Sequence, residues 1–147
     1  MNTIHASAVL VGCKAALIRG PAGAGKSRLA WQLMQAAGNG KLPFARLVAD
    51  DRVYAEAHGK RLLVRAPPSL AGLIEIRGLG IRRLAYEPVA VAGFVIDVGA
   101  TDAARHPVGA SRLTEIAGIH LPRLAVAAGI DPLPLVLAFL TTATAGN

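Results

Sequence analysis

The run Gly20-Pro21-Ala22-Gly23-Ala24-Gly25-Lys26-Ser27 has the spacing GxxxxGK[ST], in which glycines let backbone N–H groups converge on phosphate oxygens. Lys26 is placed to reach the β- and γ-phosphates of a nucleotide, and the Ser27 hydroxyl to ligate Mg²⁺. Such a loop binds phosphate; moving a phosphoryl group also needs a second metal contact and a residue to position the nucleophile. Asp50 and Asp51 follow the apolar run Leu47-Val48-Ala49 and are the first carboxylates placed for that work. One could serve the metal shell while the other accepts a hydroxyl proton; the structural alternative is an Asx-type turn capping the strand. Glu75 lies in an apolar run where an unpaired carboxylate would be costly to bury. Spacing leaves two readings open: it pairs with Arg77 two residues along, or it ligates Mg²⁺.

These residues need elements to hold them. Ala8–Val11 and Ala15–Arg19 read as two strands joined around Gly12-Cys13-Lys14, a hairpin that delivers the chain into the glycine loop. The following helix is expected to end near Ala37, where Gly38-Asn39-Gly40 supplies breakers. Arg46–Ala49 reads as a short buried strand, and Val53–Ala57 with Arg61–Arg65 as a second hairpin stopped by Pro67 and Pro68. Leu73–Ile81 is expected to hold a strand in which Ile74 and Ile76 face the core while Glu75 and Arg77 face solvent or a site. Val89–Val98 reads as a long apolar strand, Ser111–Ile119 and Leu121–Val126 as strands around His120, and Pro132–Leu140 as a closing helix capped by Asp131. The expectation is one strand-rich α/β domain over residues 1–147, without an internal repeat or linker.

Composition narrows the class. The 147 residues suit one domain with a real core, and 53% are hydrophobic against 17% charged. Apolar runs stop short of the roughly 20 residues a spanning helix needs. Met1-Asn2-Thr3-Ile4-His5 shows no basic leader, and Cys13 is the one cysteine, so a cytoplasmic protein without disulfides is expected. The net charge of +7 fits a polyanionic ligand, an acidic protein partner or simply a solvated basic surface. Scattered arginines with only 4% aromatics argue against nucleic acid, because single-strand binders interleave stacking rings with their charges.

His5 ahead of a hairpin, the loop Gly20 to Ser27, Leu47-Val48-Ala49-Asp50-Asp51-Arg52-Val53 and Ile74-Glu75-Ile76-Arg77-Gly78-Leu79-Gly80-Ile81 together resemble the C-terminal catalytic domain of HPr kinase/phosphorylase. The last block resembles that family's own signature and is more specific than the loop. The blocks stand in family order over residues 5–98. The resemblance implies a P-loop kinase fold similar to the phosphoenolpyruvate carboxykinase nucleotide-binding core. It also implies ATP and Mg²⁺ as ligands, an HPr-like phosphocarrier of a sugar phosphotransferase system as partner, no membrane association, and a homo-oligomer, typically a hexamer.

Transferred residue by residue, the resemblance makes Lys26 the phosphate-binding lysine, Ser27 and Glu75 the magnesium ligands, and Asp51 the catalytic base, acting as acid in reverse. His5 matches the active-site histidine, Arg77 falls in the signature segment, and Arg105 is a loose match to a further active-site arginine. Leu121-Pro122-Arg123-Leu124 is a faint echo of the segment tied to dephosphorylation. The match is to a short form without the family's usual N-terminal domain, similar to alphaproteobacterial members. Two other functions compete: a small-metabolite kinase, for which no arginine-rich lid is evident, and a non-catalytic nucleotide sensor.

Overall fold

The computed structural model describes residues 3–145. Among them, β1 (Thr3–His5), β2 (Ser7–Val11) and β3 (Lys14–Arg19) lead into α1 (Lys26–Gly38), followed by β4 (Ala45–Ala49), β5 (Arg52–His58) and β6 (Arg61–Arg65). A short hairpin, β7 (Leu73–Ile76) and β8 (Gly80–Arg83), precedes the long β9 (Ala90–Ala100). The chain ends with β10 (Leu113–Ile116), β11 (Ile119–Ala127) and α2 (Pro132–Thr141). Nine of these strands form one mixed sheet whose main path runs β1-β5-β6-β9-β3-β2-β4, with β11 also beside β9 and β10 beside β11. The strand-rich α/β class expected from the sequence is what the chain adopts.

The centre of the sheet is parallel: β3 and β11 both run with β9. A strand covered on both faces reads as a continuous apolar run, which is the pattern of Ala15-Ala16-Leu17-Ile18. Alternation splits those four between two cores. Ala16 and Ile18 join Leu29, Leu33 and Phe94 beneath the helices, while Ala15 and Leu17 join Val48, Val53 and Leu62 on the opposite face. Leu29 and Leu33 of α1 are fully buried, each stabilising the helix's seat by about 2 kcal/mol.

Two expectations change. The alternating segment is a hairpin and not one strand, because Gly78 and Gly80 adopt φ 93 and 90 and turn the chain after Ile76. The segment before His120 is also broken. Residues Gly109–Arg112 form a 3₁₀ turn, and the reversal falls at Ala117-Gly118, both at positive φ as a tight two-residue hairpin requires. His120 is therefore inside β11, opposite Glu115. The closing helix and its Asp131 cap form as expected, with the Asp131 carboxylate accepting from the Leu133 amide at 3.2 Å.

Candidate active site

The glycine loop leaves β3 and enters α1 through Gly25, which sits at φ 95. A left-handed residue there suits glycine, and no side chain caps the helix. Its first N–H groups are thus left facing the loop, where they and the helix dipole favour a phosphate. The Lys26 ammonium folds across the loop mouth and donates to the Gly20 carbonyl at 2.8 Å and the Pro21 carbonyl at 3.2 Å. The start of the loop is wedged against β9: a Cβ on Gly20 would lie 2.6 Å from the Val98 carbonyl oxygen.

The loop floors a cleft of about 1140 Å³. Its walls carry His5, Asp50, Asp51, Glu75 and Arg77 beside the loop residues from Gly20 to Ser27. One further expected residue is elsewhere: Arg105 is exposed in the segment after β9 and does not line the cleft. Three residues before it, Asp102 is bonded to Arg123 in a neighbouring groove.

The adjacent carboxylates Asp50 and Asp51 divide their work by burial. Asp50 is 5% exposed and accepts from the Ser7 hydroxyl at 2.6 Å, the Ser27 hydroxyl at 2.7 Å and the Glu75 amide at 3.2 Å. All three partners are neutral donors, which leaves the carboxylate beside the loop serine with no cation among its bonded partners. Asp51 is exposed and held at φ 69, with the Arg52 amide bonded back to the Asp50 carbonyl at 2.8 Å. That bond across two residues is a γ-turn with its central residue at positive φ, a strained geometry for any residue but glycine. It turns the second carboxylate away from the core and into the cleft.

His5 reaches the same spot from β1. Its strand pairs with β5 so that His5 lies opposite Arg52, and its Nδ1 is 4.0 Å from an Asp51 carboxylate oxygen. Glu75 and Arg77 do not pair with each other, which removes one of the two readings of Glu75. The Glu75 side chain is exposed in the cleft, while its amide anchors Asp50.

The donor set of Ser27, Asp50 and Glu75 is all oxygen, the chemistry a hard cation such as Mg²⁺ requires. Residue-by-residue transfer names Ser27 and Glu75 and leaves out Asp50, which is hydrogen-bonded to both, to the Ser27 hydroxyl and to the Glu75 amide. The signal was there in the paired aspartates at a strand end, yet which of them turns inward depends on a γ-turn that no local pattern encodes. Ser7 was missed for a similar reason: it reads as one polar residue in an apolar strand, and its partner lies far along the chain.

Comparison with known proteins points to one family. The family model described as the HPr serine kinase C-terminal domain matches residues 1–85. The HPr kinase/phosphorylase of Lacticaseibacillus casei strain BL23 is 46% identical over 66 residues, 44% of this chain and 18% of that protein. The HPr kinase/phosphorylase of an Exiguobacterium strain is 39% identical over 82 residues, 55% of this chain and 24% of that protein. The chain thus spans less than a quarter of the length of either relative. The solved structure of the Hpr(Ser) kinase/phosphatase from Coxiella burnetii matches with a TM-score of 0.76 at 26% identity, over 95% of this chain and 93% of that one. The matched residues 1–85 hold the loop, both aspartates and the hairpin of Glu75 and Arg77, and on that match the chain belongs to the HPr serine kinase C-terminal domain family.

Proposed function

We propose that this chain is an ATP- and Mg²⁺-dependent protein kinase that phosphorylates a serine on an HPr-like phosphocarrier of a phosphotransferase system. The observation that carries the reading is the junction at Asp50, which ties the loop serine to the strand-end carboxylates and to the hairpin holding Glu75. Backbone amides of residues 20–27 and the Lys26 ammonium would hold the triphosphate, with Lys26 exchanging its loop carbonyls for phosphate oxygens. Ser27, Asp50 and Glu75 would hold Mg²⁺, which when bound neutralises charge on the β- and γ-phosphates.

Asp51 accepts the proton of the partner serine as its oxygen bonds to the γ-phosphorus and the bond from that phosphorus to the bridging oxygen of ADP breaks. His5, beside it, helps to orient the carboxylate, and Arg77 at the hairpin faces the same cleft. Little covalent work falls to the protein, so positioning and charge neutralisation supply most of the rate. The reading includes the reverse reaction, in which Asp51 protonates the departing serine oxygen while inorganic phosphate or water attacks. It also includes a single catalytic domain over residues 1–147, a cytoplasmic location and a homo-oligomer, a hexamer by resemblance. Among the described residues no helix is long and apolar enough to cross a membrane.

The test is transfer of label from γ-labelled ATP to a panel of HPr-like carriers. Label on a carrier serine, lost in Lys26→Ala with the fold retained, is the expected result. ATP binding without transfer to any carrier would favour a nucleotide sensor and sink the kinase reading.

A further inference from the structure

The hairpin of β7 and β8 stands apart from the nine-stranded sheet, yet it carries Glu75 and Arg77 into the cleft. Two paired strands alone are marginal in water, so other contacts must fix their direction. On the inner face Ile74 is buried, and Ile76 and Leu84 pack against the core beneath the helices. On the cleft side the Glu75 amide donates to Asp50 at 3.2 Å. Apolar packing is non-directional, and a single hydrogen bond is a pivot. These contacts seat the hairpin without setting its angle.

A strap formed by residues 84–88 supplies the second attachment. As the chain leaves β8, the Leu84 amide donates to the Gly72 carbonyl at 2.8 Å and closes the base of the hairpin. Tyr86 then lies beside β4 as a parallel bridge to Leu47, and the Glu87 amide donates to the Leu47 carbonyl at 2.8 Å. The Glu87 carboxylate is 3.1 Å from the Arg46 guanidinium, which lies 5.1 Å from the centre of the Phe44 ring. From this anchorage the Tyr86 ring turns back onto Gly72. A Cβ on Gly72 would lie 2.9 Å from Tyr86 Cδ1 and 3.2 Å from its Cε1. Glycine is what lets the ring close on the backbone just before β7. The strand that anchors the strap at Leu47 is also the one that runs into Asp50. β4 thus bears the buried carboxylate and the anchorage of the hairpin that holds Glu75.

We propose that Tyr86 is a positioning residue for the metal side of the cleft: its ring, anchored to β4 and closed on Gly72, sets the angle at which the hairpin presents the Glu75 carboxylate to the cleft it shares with Ser27 and Asp50. This rests on the reading of Glu75 as a Mg²⁺ ligand given above. The Tyr86 side chain is 41% exposed, so it adds little to the core, and its contact counts for direction.

The experiment pairs amide hydrogen exchange with calorimetric titration of inorganic tripolyphosphate, with and without Mg²⁺, on the wild type, Tyr86→Ala and Tyr86→Phe. In Tyr86→Ala the amides of β7 and β8, Glu75 among them, should exchange about tenfold faster, while those of α1 and β3 keep their rates. Tripolyphosphate binding without metal should be unchanged. The affinity that Mg²⁺ adds in the wild type should fall about tenfold, as when a group supporting a metal ligand is removed. Tyr86→Phe keeps both ring carbons that face Gly72 and should restore both readings. Tyr86→Leu, a milder truncation, should move both in the same direction and serves where alanine does not fold. Unchanged exchange in the hairpin, exchange that quickens equally in α1 and β3, or an undiminished Mg²⁺ gain in Tyr86→Ala would each overturn the positioning role alone. A wild type that gains nothing from Mg²⁺ would overturn the magnesium reading and the positioning role with it.

Discussion

Ser27 and Asp50 share one hydrogen bond in two directions: the serine Oγ lies 2.7 Å from one carboxylate oxygen and 2.9 Å from the other. A hydroxyl carries a single proton, so it donates to one oxygen at a time, and its lone pairs stay available to a cation. The same carboxylate takes the Ser7 hydroxyl and the Glu75 amide. Strand β2, the head of α1 and strand β7 are thereby tied through one buried side chain.

Asp50→Asn keeps the volume and part of the hydrogen bonding but removes the charge. If Asp50 belongs to the magnesium shell, the Mg²⁺ concentration needed for half-maximal phosphotransfer should rise about 10- to 100-fold. Tripolyphosphate binding without metal should be unchanged, because the loop amides and Lys26 remain. A metal titration of the transfer rate reads this directly, and an unshifted midpoint would remove Asp50 from the shell.

Asp51 sets stability against activity. At φ 69 it occupies backbone space that glycine enters without strain. Asp51→Gly should therefore raise the unfolding free energy by about 0.5–1 kcal/mol, while transfer to the carrier falls by roughly 10²–10⁴-fold with the loss of the base. Asparagine has the size and shape of aspartate and meets the same backbone strain, so Asp51→Asn should match the wild type in urea denaturation yet share the loss of turnover. An Asp51→Gly protein that turns over at the wild-type rate would take the base role from this residue.

Local patterns revealed the parts of the site, and long-range contacts assembled them. The spacing of Gly20 to Ser27 announces a phosphate loop because its function depends on backbone that only those residues permit. Apolar runs located β2, β3, β4 and β9 within a residue or two. What the chain conceals is pairing across distance. The parallel placing of β3 and β11 on either side of β9 brings Arg19, Asp97 and Arg123 together, although each reads alone as a single charge in an apolar strand. Arg105, matched by order along the chain, does not line the cleft, and chain order alone could not have told which side of the sheet end it takes. The break at Gly78 and Gly80 was visible as glycine but was masked by the strong alternation of Ile74 to Arg77.

Gly20→Ala tests how rigidly the loop is seated on β9. The added methyl would stand 2.6 Å from the Val98 carbonyl oxygen and 2.7 Å from its Cγ2. The oxygen is backbone in the middle layer of the sheet, so the loop must move instead. Overpacking of this kind costs about 1–3 kcal/mol, and the displaced amides should weaken tripolyphosphate binding along with ATP. Alanine at Gly12, where nothing lies within 4 Å but φ is +64, is the comparison for backbone strain without a clash. If Gly20→Ala binds tripolyphosphate as the wild type does, the loop is not held by that contact.

Asp97 makes acid stability a readout of the groove. Burial pushes its carboxyl up, but hydrogen bonds from Arg19 and Arg123 and their charges outweigh that and hold it below the usual carboxylate range. The Arg123 hydrogen bond lowers Asp102 as well, though that group is solvated and adds little to folding. A folded value below the ordinary value of about 3.9 means that the unfolded chain takes up the proton first as pH falls. The stabilisation from Asp97 is thus complete above about pH 4 to 5 and is lost as pH drops through the depressed folded value. Asp97→Asn leaves two arginines facing a neutral amide and should cost about 2 kcal/mol at pH 6. In acid the wild-type carboxyl is itself protonated, so the two proteins should converge. Urea denaturation of both from pH 6 down to pH 2 measures the gap at each step, and a gap that stays constant throughout would show that the Asp97 charge contributes nothing to holding β3, β9 and β11 together.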